Sequence, residues 1–172
     1  MSTALVKDAL GRCLIAPDAP RREIGWQELG DLCKQLAQEV ASHGPADAVV
    51  GIARGGSIVG AVLSFMLNLE YYPIRLAKRG GVIRVIVPPS PELKGKRVVL
   101  VDDLSRTGET FKIALHELRR VGVAAVKTVA LARREPGFRP DISAVSATAA
   151  DKVAFPWGKE QLVDGQFILR KL

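Results

Sequence analysis

The chain has few cysteines, few aromatic residues and no long unbroken apolar run. Two of its 172 residues are cysteine and 5% are aromatic. Cys13 and Cys33 are too few for a disulfide framework or a structural zinc site, and Cys33 lies on the apolar stripe of a predicted helix. The most apolar window, residues 48–67, is interrupted by an Arg-Gly-Gly triplet and cannot span a bilayer. Because no secretory apolar region is evident either, we expect a cytoplasmic protein without membrane contact.

Acidic residues are outnumbered by basic ones, 18 to 25, which gives a net charge of +7. The basic residues occur singly or in pairs such as Arg119-Arg120, and no block is long enough for a nucleic-acid tail. The charge therefore favours a small anionic ligand over nucleic acid as the partner. His43 and His116 lack a serine, cysteine or aspartate at a spacing that suggests a catalytic triad, so we expect ordinary surface or packing residues.

Hydrophobic residues make up 48% of the chain, and their spacing alternates between that of strands and that of helices. The pattern predicts helices at 26–43, 57–69 and 111–121, the second capped by Ser57, and strands at 48–53, 71–77, 82–87, 98–101, 124–132 and 142–147. This order favours an α/β fold with a doubly wound, mainly parallel sheet covered by helices on both faces. Ligands bind such folds beyond the carboxyl ends of the strands, so the loops 53–57 and 102–110 should open on one edge.

The most informative segment is residues 98–110, Val-Val-Leu-Val-Asp-Asp-Leu-Ser-Arg-Thr-Gly-Glu-Thr. An apolar strand ends in Asp102 and Asp103, and a loop of small residues then leads into a helix. The free amides of the helix start, two threonine hydroxyls and a glycine that permits a tight turn suit a phosphate group. The two carboxylates suit ribose hydroxyls, or Mg²⁺ bound through its waters. The alternative is a strand–loop–helix in which Asp103 only caps the helix.

This segment resembles the phosphoribosyl pyrophosphate (PRPP) motif of the type I phosphoribosyltransferases. The resemblance implies that Asp102 and Asp103 hold the ribose and a magnesium ion. It also implies that the 5′-phosphate is bound by the loop residues Ser105, Arg106, Thr107, Gly108, Glu109 and Thr110. The earlier loop, Arg54-Gly55-Gly56, would be a tight turn on its own evidence. In this family it would hold pyrophosphate, and the Ala53–Arg54 bond is our candidate for a non-proline cis peptide.

Two later segments resemble those of bacterial and archaeal 6-oxopurine enzymes in this family. Lys127 would hydrogen-bond an oxygen of the purine ring, although a solvated lysine at a strand start is an equal alternative. Residues 151–158 resemble the segment that forms a hood over the base. The position that stacks on the base falls at Lys152 or Val153, with Phe155 as a possible substitute. The resemblance implies one domain, 1–172, with a core at about 26–135 and a hood built from about 140–172 and the N-terminal residues.

The chain departs from those enzymes mainly on the side of the base. Arg106 stands where they have an aspartate that moves a proton of the base, and an arginine stays protonated. It could instead bind a phosphate oxygen or an acidic group of the base. Gly158 stands where a carboxylate is usual, and the 77–82 loop is short for a lid.

Taken together, the resemblance implies an enzyme that moves the phosphoribosyl group from PRPP to a nitrogen base and releases pyrophosphate. A purine is the favoured base, Mg²⁺ is the expected cofactor, and the expected assembly is a dimer or tetramer of identical chains. The alternative is a non-catalytic regulator that binds PRPP or a nucleotide at the same site.

Overall fold

The structure is a computed structural model and describes residues 6–7, 13–14, 21–148 and 150–169. Its strands are β1 (Val6–Lys7), β2 (Cys13–Leu14), β3 (Arg21–Glu23), β4 (Ala48–Ala53), β5 (Glu70–Arg79), β6 (Val82–Val87), β7 (Arg97–Ser105), β8 (Ala125–Glu135), β9 (Ile142–Thr148), β10 (Lys152–Ala154), β11 (Glu160–Val163) and β12 (Gln166–Leu169). Its α-helices are α1 (Trp26–Ser42), α2 (Gly55–Leu67) and α3 (Glu109–Val121). Short 3-10 turns lie at Pro91–Leu93 and Pro156–Gly158.

Six strands form the central sheet in the order β6-β5-β4-β7-β8-β9. All neighbouring pairs are parallel except β5 with β6. This strand order confirms the predicted α/β class. Because β9 joins the sheet, the sheet continues past residue 135, where the core was expected to end. Since β4 and β7 are adjacent and Gly51 pairs with Val101, the loops that follow these two strands start side by side at the carboxyl edge.

Two apolar layers cover the sheet, one on each face. Helices α1 and α2 pack on one face through side chains that include Leu36 and Leu63, and α3 packs on the other through Phe111 and Leu118. Strand β4 is apolar at every position because both of its faces are covered. The predicted helices are thus confirmed, but α2 begins at Gly55 after Arg54, so Ser57 lies inside the first turn and does not cap it.

The hood and the β5–β6 connection differ from the sequence expectations in detail. β10 pairs in parallel with β3, and β11 pairs with β12 as a hairpin; neither pairing was predicted. β5 and β6 are joined by Gly80 and Gly81 alone, both with positive φ, so these strands form a tight hairpin. Within the described residues no helix has the length and apolar character needed to cross a membrane.

Candidate functional site at the carboxyl edge of the sheet

The start of α2, which follows β4 through Arg54 alone, touches the end of β7. The Ala53–Arg54 peptide is cis, as predicted, and α2 starts at the next residue. A methyl group on Gly55 would collide with the carboxylate of Asp103, and one on Gly56 would lie 2.6 Å from the carbonyl oxygen of Val101. Only glycine fits at these two positions, and its absence of a side chain lets the helix start approach the acids directly.

Asp102 and Asp103 are held at the end of β7 by backbone amides. Oδ1 of Asp102 accepts from the Asp103 amide at 2.9 Å, and Oδ1 of Asp103 accepts from the Leu104 amide at 2.8 Å. Burial raises the pKa of both carboxyls, and the neighbouring charge of Asp103 raises the pKa of Asp102 further. Two buried carboxylates of this kind gain stability from a ligand that brings hydroxyl donors or positive charge.

The loop from Ser105 to Thr110 surrounds an open pocket of about 290 Å³ that also has Asp102 and Lys78 in its wall. Gly108 is left-handed, with φ of 78°, and directly precedes α3. The first-turn amides of α3 have no partner within the helix and can face an anion in the pocket. On the rim, Nζ of Lys78 lies 3.4 Å from Oε2 of Glu109, which ties the β5–β6 hairpin to the start of α3.

The loop after β8 packs against the 105–110 loop that lines the pocket. Oγ of Ser105 donates to the Phe138 carbonyl at 3.0 Å, and the Phe138 amide donates to the Arg106 carbonyl at 3.1 Å. The Phe138 ring stacks on Phe111 of α3 with 5.2 Å between centroids. A side chain on Gly108 would collide with Phe138, so the two loops pack without a gap.

Trp157 links the hood to the acids. Burial raises the pKa of Asp103, and this rise is opposed by hydrogen bonds from the Asp102 side chain, from backbone amides and, with the smallest effect, from the Trp157 side chain. The ring lies parallel to Phe155 at 5.0 Å and beside Trp26 at 6.3 Å. Phe155 is only 8% exposed and Val153 packs against the same core, so two of the three expected base-stacking positions are packed into the core. The third, Lys152, pairs with Arg21 of β3.

The structure does not bring Lys127 to this edge. Lys127 pairs with Val99, three positions before the Asp102–Ala130 pair, which is about 10 Å nearer the amino edge. There it lines a different pocket, with His43 and Arg97 in the wall. The interpretation as a base-binding lysine is therefore wrong, because β8 continues for 11 residues and Lys127 stands near its beginning.

Two arginines at the other end of β8 were missed by the sequence reasoning. Arg133 pairs with Ser105 in register, has a side chain 19% exposed, and lies 2.5 Å from a carboxylate oxygen of Glu135. Arg134 donates to the carbonyl of Asp151 at 2.7 Å and so joins β8 to the hood. The signal was available, since both follow an apolar run at the carboxyl end of a strand, as Asp102 does.

Similarity to known proteins agrees with this geometry. The family model described as "Phosphoribosyl transferase domain" matches residues 25–160. An orotate phosphoribosyltransferase from Methanospirillum hungatei is 28% identical over 68% of this chain and 67% of its own length. An adenine phosphoribosyltransferase from Methylibium petroleiphilum is 33% identical over 49% of this chain and 50% of its own.

Among solved structures, a purine phosphoribosyltransferase from Pyrococcus horikoshii superposes with a TM-score of 0.75 at 26% identity, over 84% of this chain and 98% of that one. The xanthine-guanine-hypoxanthine phosphoribosyltransferase of Helicobacter pylori shares the fold with a TM-score of 0.67 at 20% identity, over 80% of this chain and 92% of that one. With its strand-end acids, its Arg-Gly-Gly loop and a matched region that spans most of the sheet, the chain belongs to the phosphoribosyl transferase domain family.

Proposed function

We propose that this protein transfers the phosphoribosyl group of PRPP to a purine base and releases pyrophosphate. The observation that carries the proposal is the direct contact between Gly55 and Asp103. It puts two anion-binding loops on either side of a pair of acids, which is the arrangement needed by a sugar with one phosphate at each end. Family membership makes phosphoribosyl transfer the reaction class.

The residues divide the substrate among them. The loop from Ser105 to Thr110 holds the 5′-phosphate, and Asp102 and Asp103 hold the ribose hydroxyls. Arg54, with the amides of Gly55 and Gly56, stabilises the negative charge that develops on the leaving pyrophosphate. The sugar passes through a cationic state, and the protein contributes positioning and electrostatics without a covalent intermediate.

The two acids also fit Mg²⁺. Within residues 21–148 and 150–169 no cluster of three or more His, Cys, Asp or Glu side chains could form a complete metal cage. Mg²⁺ commonly binds through one or two carboxylates together with substrate phosphates and waters, so Asp102 and Asp103 suffice. When bound there it would neutralise charge on the pyrophosphate. Our proposal also includes a homo-oligomer in the cytoplasm, as the resemblance implies.

On the base side, we replace Lys127 with Arg133. The latter lies beside Ser105 at the carboxyl edge, and Trp157 of the hood reaches Asp103 there. The purine is favoured by the Phe155-Pro156-Trp157 segment and by the resemblance to the Pyrococcus purine enzyme. Orotate is the competing base, because Arg106 could pair with a carboxylate and because the Methanospirillum relative is an orotate enzyme.

The test is a turnover assay with PRPP, Mg²⁺ and adenine, guanine, hypoxanthine, xanthine or orotate, in which pyrophosphate release is measured. We expect release with one or more purines, abolished in Asp103→Asn and unchanged in Asp31→Asn, which alters an exposed carboxylate of α1. Release with orotate alone would overturn the purine assignment. Tight PRPP binding without turnover on any base would overturn the enzyme and leave the nucleotide-binding regulator.

A further inference from the structure

Tyr71 carries a buried hydroxyl that the proposed reaction does not use. Its oxygen is shielded from solvent and has no hydrogen-bond partner of ordinary distance and angle within the described residues. Buried hydroxyls that lack a partner are costly and rare in folded proteins. A phenylalanine would fill the same ring volume without that cost, so the hydroxyl calls for a reason of its own.

The surroundings of Tyr71 are built to place this hydroxyl under the start of α2. Tyr71 pairs with Val49 of β4, and its ring extends beneath the helix. A methyl group on Gly51 would lie 2.5 Å from the Tyr71 oxygen and 2.9 Å from the Gly56 carbonyl oxygen. A methyl group on Gly60 would lie 3.1 Å from ring atom Cε2. The absence of side chains at Gly51 and Gly60 thus makes the space that the tyrosine occupies.

The polar side chain that acts on Tyr71 belongs to the first turn of α2. Burial raises the pKa of Tyr71, and the hydroxyl of Ser57 opposes that rise. Ser57 directly follows Gly56, and its amide donates to the Arg54 carbonyl at 3.1 Å. A group that fixes Ser57 therefore fixes the turn that contains Arg54, Gly55 and Gly56.

We propose that Tyr71 is a positioning residue for the pyrophosphate loop, and that its hydroxyl and the hydroxyl of Ser57 form a hydrogen bond when an anion lies on the Gly55 and Gly56 amides. The inference rests on the proposed function of that loop. The hydrogen bond between Tyr71 and Ser57 holds the first turn of α2 in the orientation that directs its amides toward the anion. The hydroxyl that lacks an ordinary partner in this structure then acquires one in the complex.

The experiment compares Tyr71→Phe with Tyr72→Phe, its neighbour on β5. The Tyr72 hydroxyl bonds exposed Glu70 and Glu92 on the opposite face of the strand and serves as the matched control. Binding of inorganic pyrophosphate and of PRPP is measured by calorimetry with Mg²⁺, and the melting temperature is measured without ligand. We expect Tyr71→Phe to bind both ligands at least fivefold more weakly, with an unchanged or higher melting temperature, and Tyr72→Phe to bind both as the native chain does.

Each of the other possible results contradicts either the inference or the proposed function. Native affinity in Tyr71→Phe overturns the inference, and so does a lower melting temperature that accompanies the weaker binding, since that would mark a structural role. Failure of the native chain to bind PRPP or pyrophosphate overturns the proposed function instead. A Ser57→Ala background tests the role of Ser57: Tyr71→Phe should weaken binding no further there, and a full additional fivefold loss would exclude Ser57 as the hydrogen-bond partner.

Discussion

Gly55 faces the carboxylate of Asp103 so closely that a single methyl group would overlap it. The two residues are 48 positions apart in the chain, one at the start of α2 and the other near the end of β7, yet no side chain separates them. Their contact fixes the spacing between the part of the site assigned to pyrophosphate and the part assigned to ribose. Any change at Gly55 is therefore transmitted directly to the acid.

Gly55→Ala should weaken PRPP binding by tenfold or more, which corresponds to about 1.4 kcal/mol, because the new methyl group must displace Asp103. Gly30→Ala is the matched control, since a methyl group there meets nothing within 4 Å in the middle of α1. We expect the control to keep native affinity and to stabilise the fold by about 0.5–1 kcal/mol. Calorimetric titration with PRPP and denaturant unfolding measure both, and native affinity in Gly55→Ala would contradict the contact.

Asp102→Asn should stabilise the ligand-free protein while it weakens PRPP binding. The folded protein raises the pKa of Asp102, so folding favours the protonated form and loses stability as the pH rises through the folded-state value. An asparagine cannot ionise and keeps the oxygen that accepts from the Asp103 amide. For a domain of this size each 1 kcal/mol gained appears as about 2–4 °C in Tm at pH 7. A lower Tm with retained binding would contradict the prediction.

Lys127 and Arg133 offer a direct comparison between the two ends of β8. Lys127→Ala should leave KM for the base within about twofold, because the side chain lies at the amino edge. Arg133→Ala should raise that KM by about tenfold or more, the loss expected for one hydrogen bond from a charged group. Steady-state kinetics with PRPP in excess measures both values. The reverse outcome would restore the lysine interpretation and reject the arginine.

Arg106→Asp separates two roles of the arginine in the loop before α3. If Arg106 lies on the base side, an aspartate should improve turnover of guanine, hypoxanthine or xanthine, since a carboxylate can accept a proton that a guanidinium cannot. PRPP affinity should then stay near its native value. A collapse of PRPP affinity would instead identify Arg106 as a phosphate ligand. Arg119→Asp, which makes the same charge change at an exposed position at the far end of α3, is the control.

Cys33 predicts an alkaline limit to stability. Burial in the core between α1 and the sheet raises the pKa of its thiol to about 11, above the value of about 8.5 for a free cysteine. Stability from the buried neutral thiol is complete below the unfolded-state pKa and is lost as the pH rises toward 11. In a Cys13→Ser variant, where Cys33 is the remaining thiol, the free energy of unfolding should fall between pH 9 and about 10.5. The fall should be smaller when Cys33→Ala is added to the same variant. Reaction of native Cys33 with a thiol reagent at pH 8 would contradict its burial.

The sheet and its helices were predictable because the apolar residues follow either the spacing of a helix or the continuous run of a buried strand, without ambiguity. The apolar run of β4 and the helical spacing of Leu29, Cys33, Leu36 and Val40 each indicate one structure. The loops of the site follow from the same pattern, since both come directly after apolar strands. The terminal hairpin was missed because residues 160–169 pair only with each other and expose most of their side chains, which leaves little periodic signal.

The misplacement of Lys127 has a physical origin in β8. The predicted strand ended at residue 132, but β8 continues to Glu135, so Lys127 lies eight positions before its carboxyl end. The contact between Trp157 and Asp103 was equally out of reach, because it depends on how the hood packs over the sheet. Local patterns predict elements and the ends of strands, whereas contacts between distant segments depend on tertiary packing.

The Gly80-Gly81 turn has a consequence for how substrate enters and product leaves. A two-residue hairpin is too short to swing open as a long loop does, and one of its links to the pocket before α3 is the exposed ion pair of Lys78 with Glu109. Dissolved salt weakens such an exposed ion pair, and the Debye screening length is about 8 Å at physiological ionic strength. The rate at which ligands enter the pocket should therefore change with ionic strength, and no slow opening of the hairpin should limit that rate.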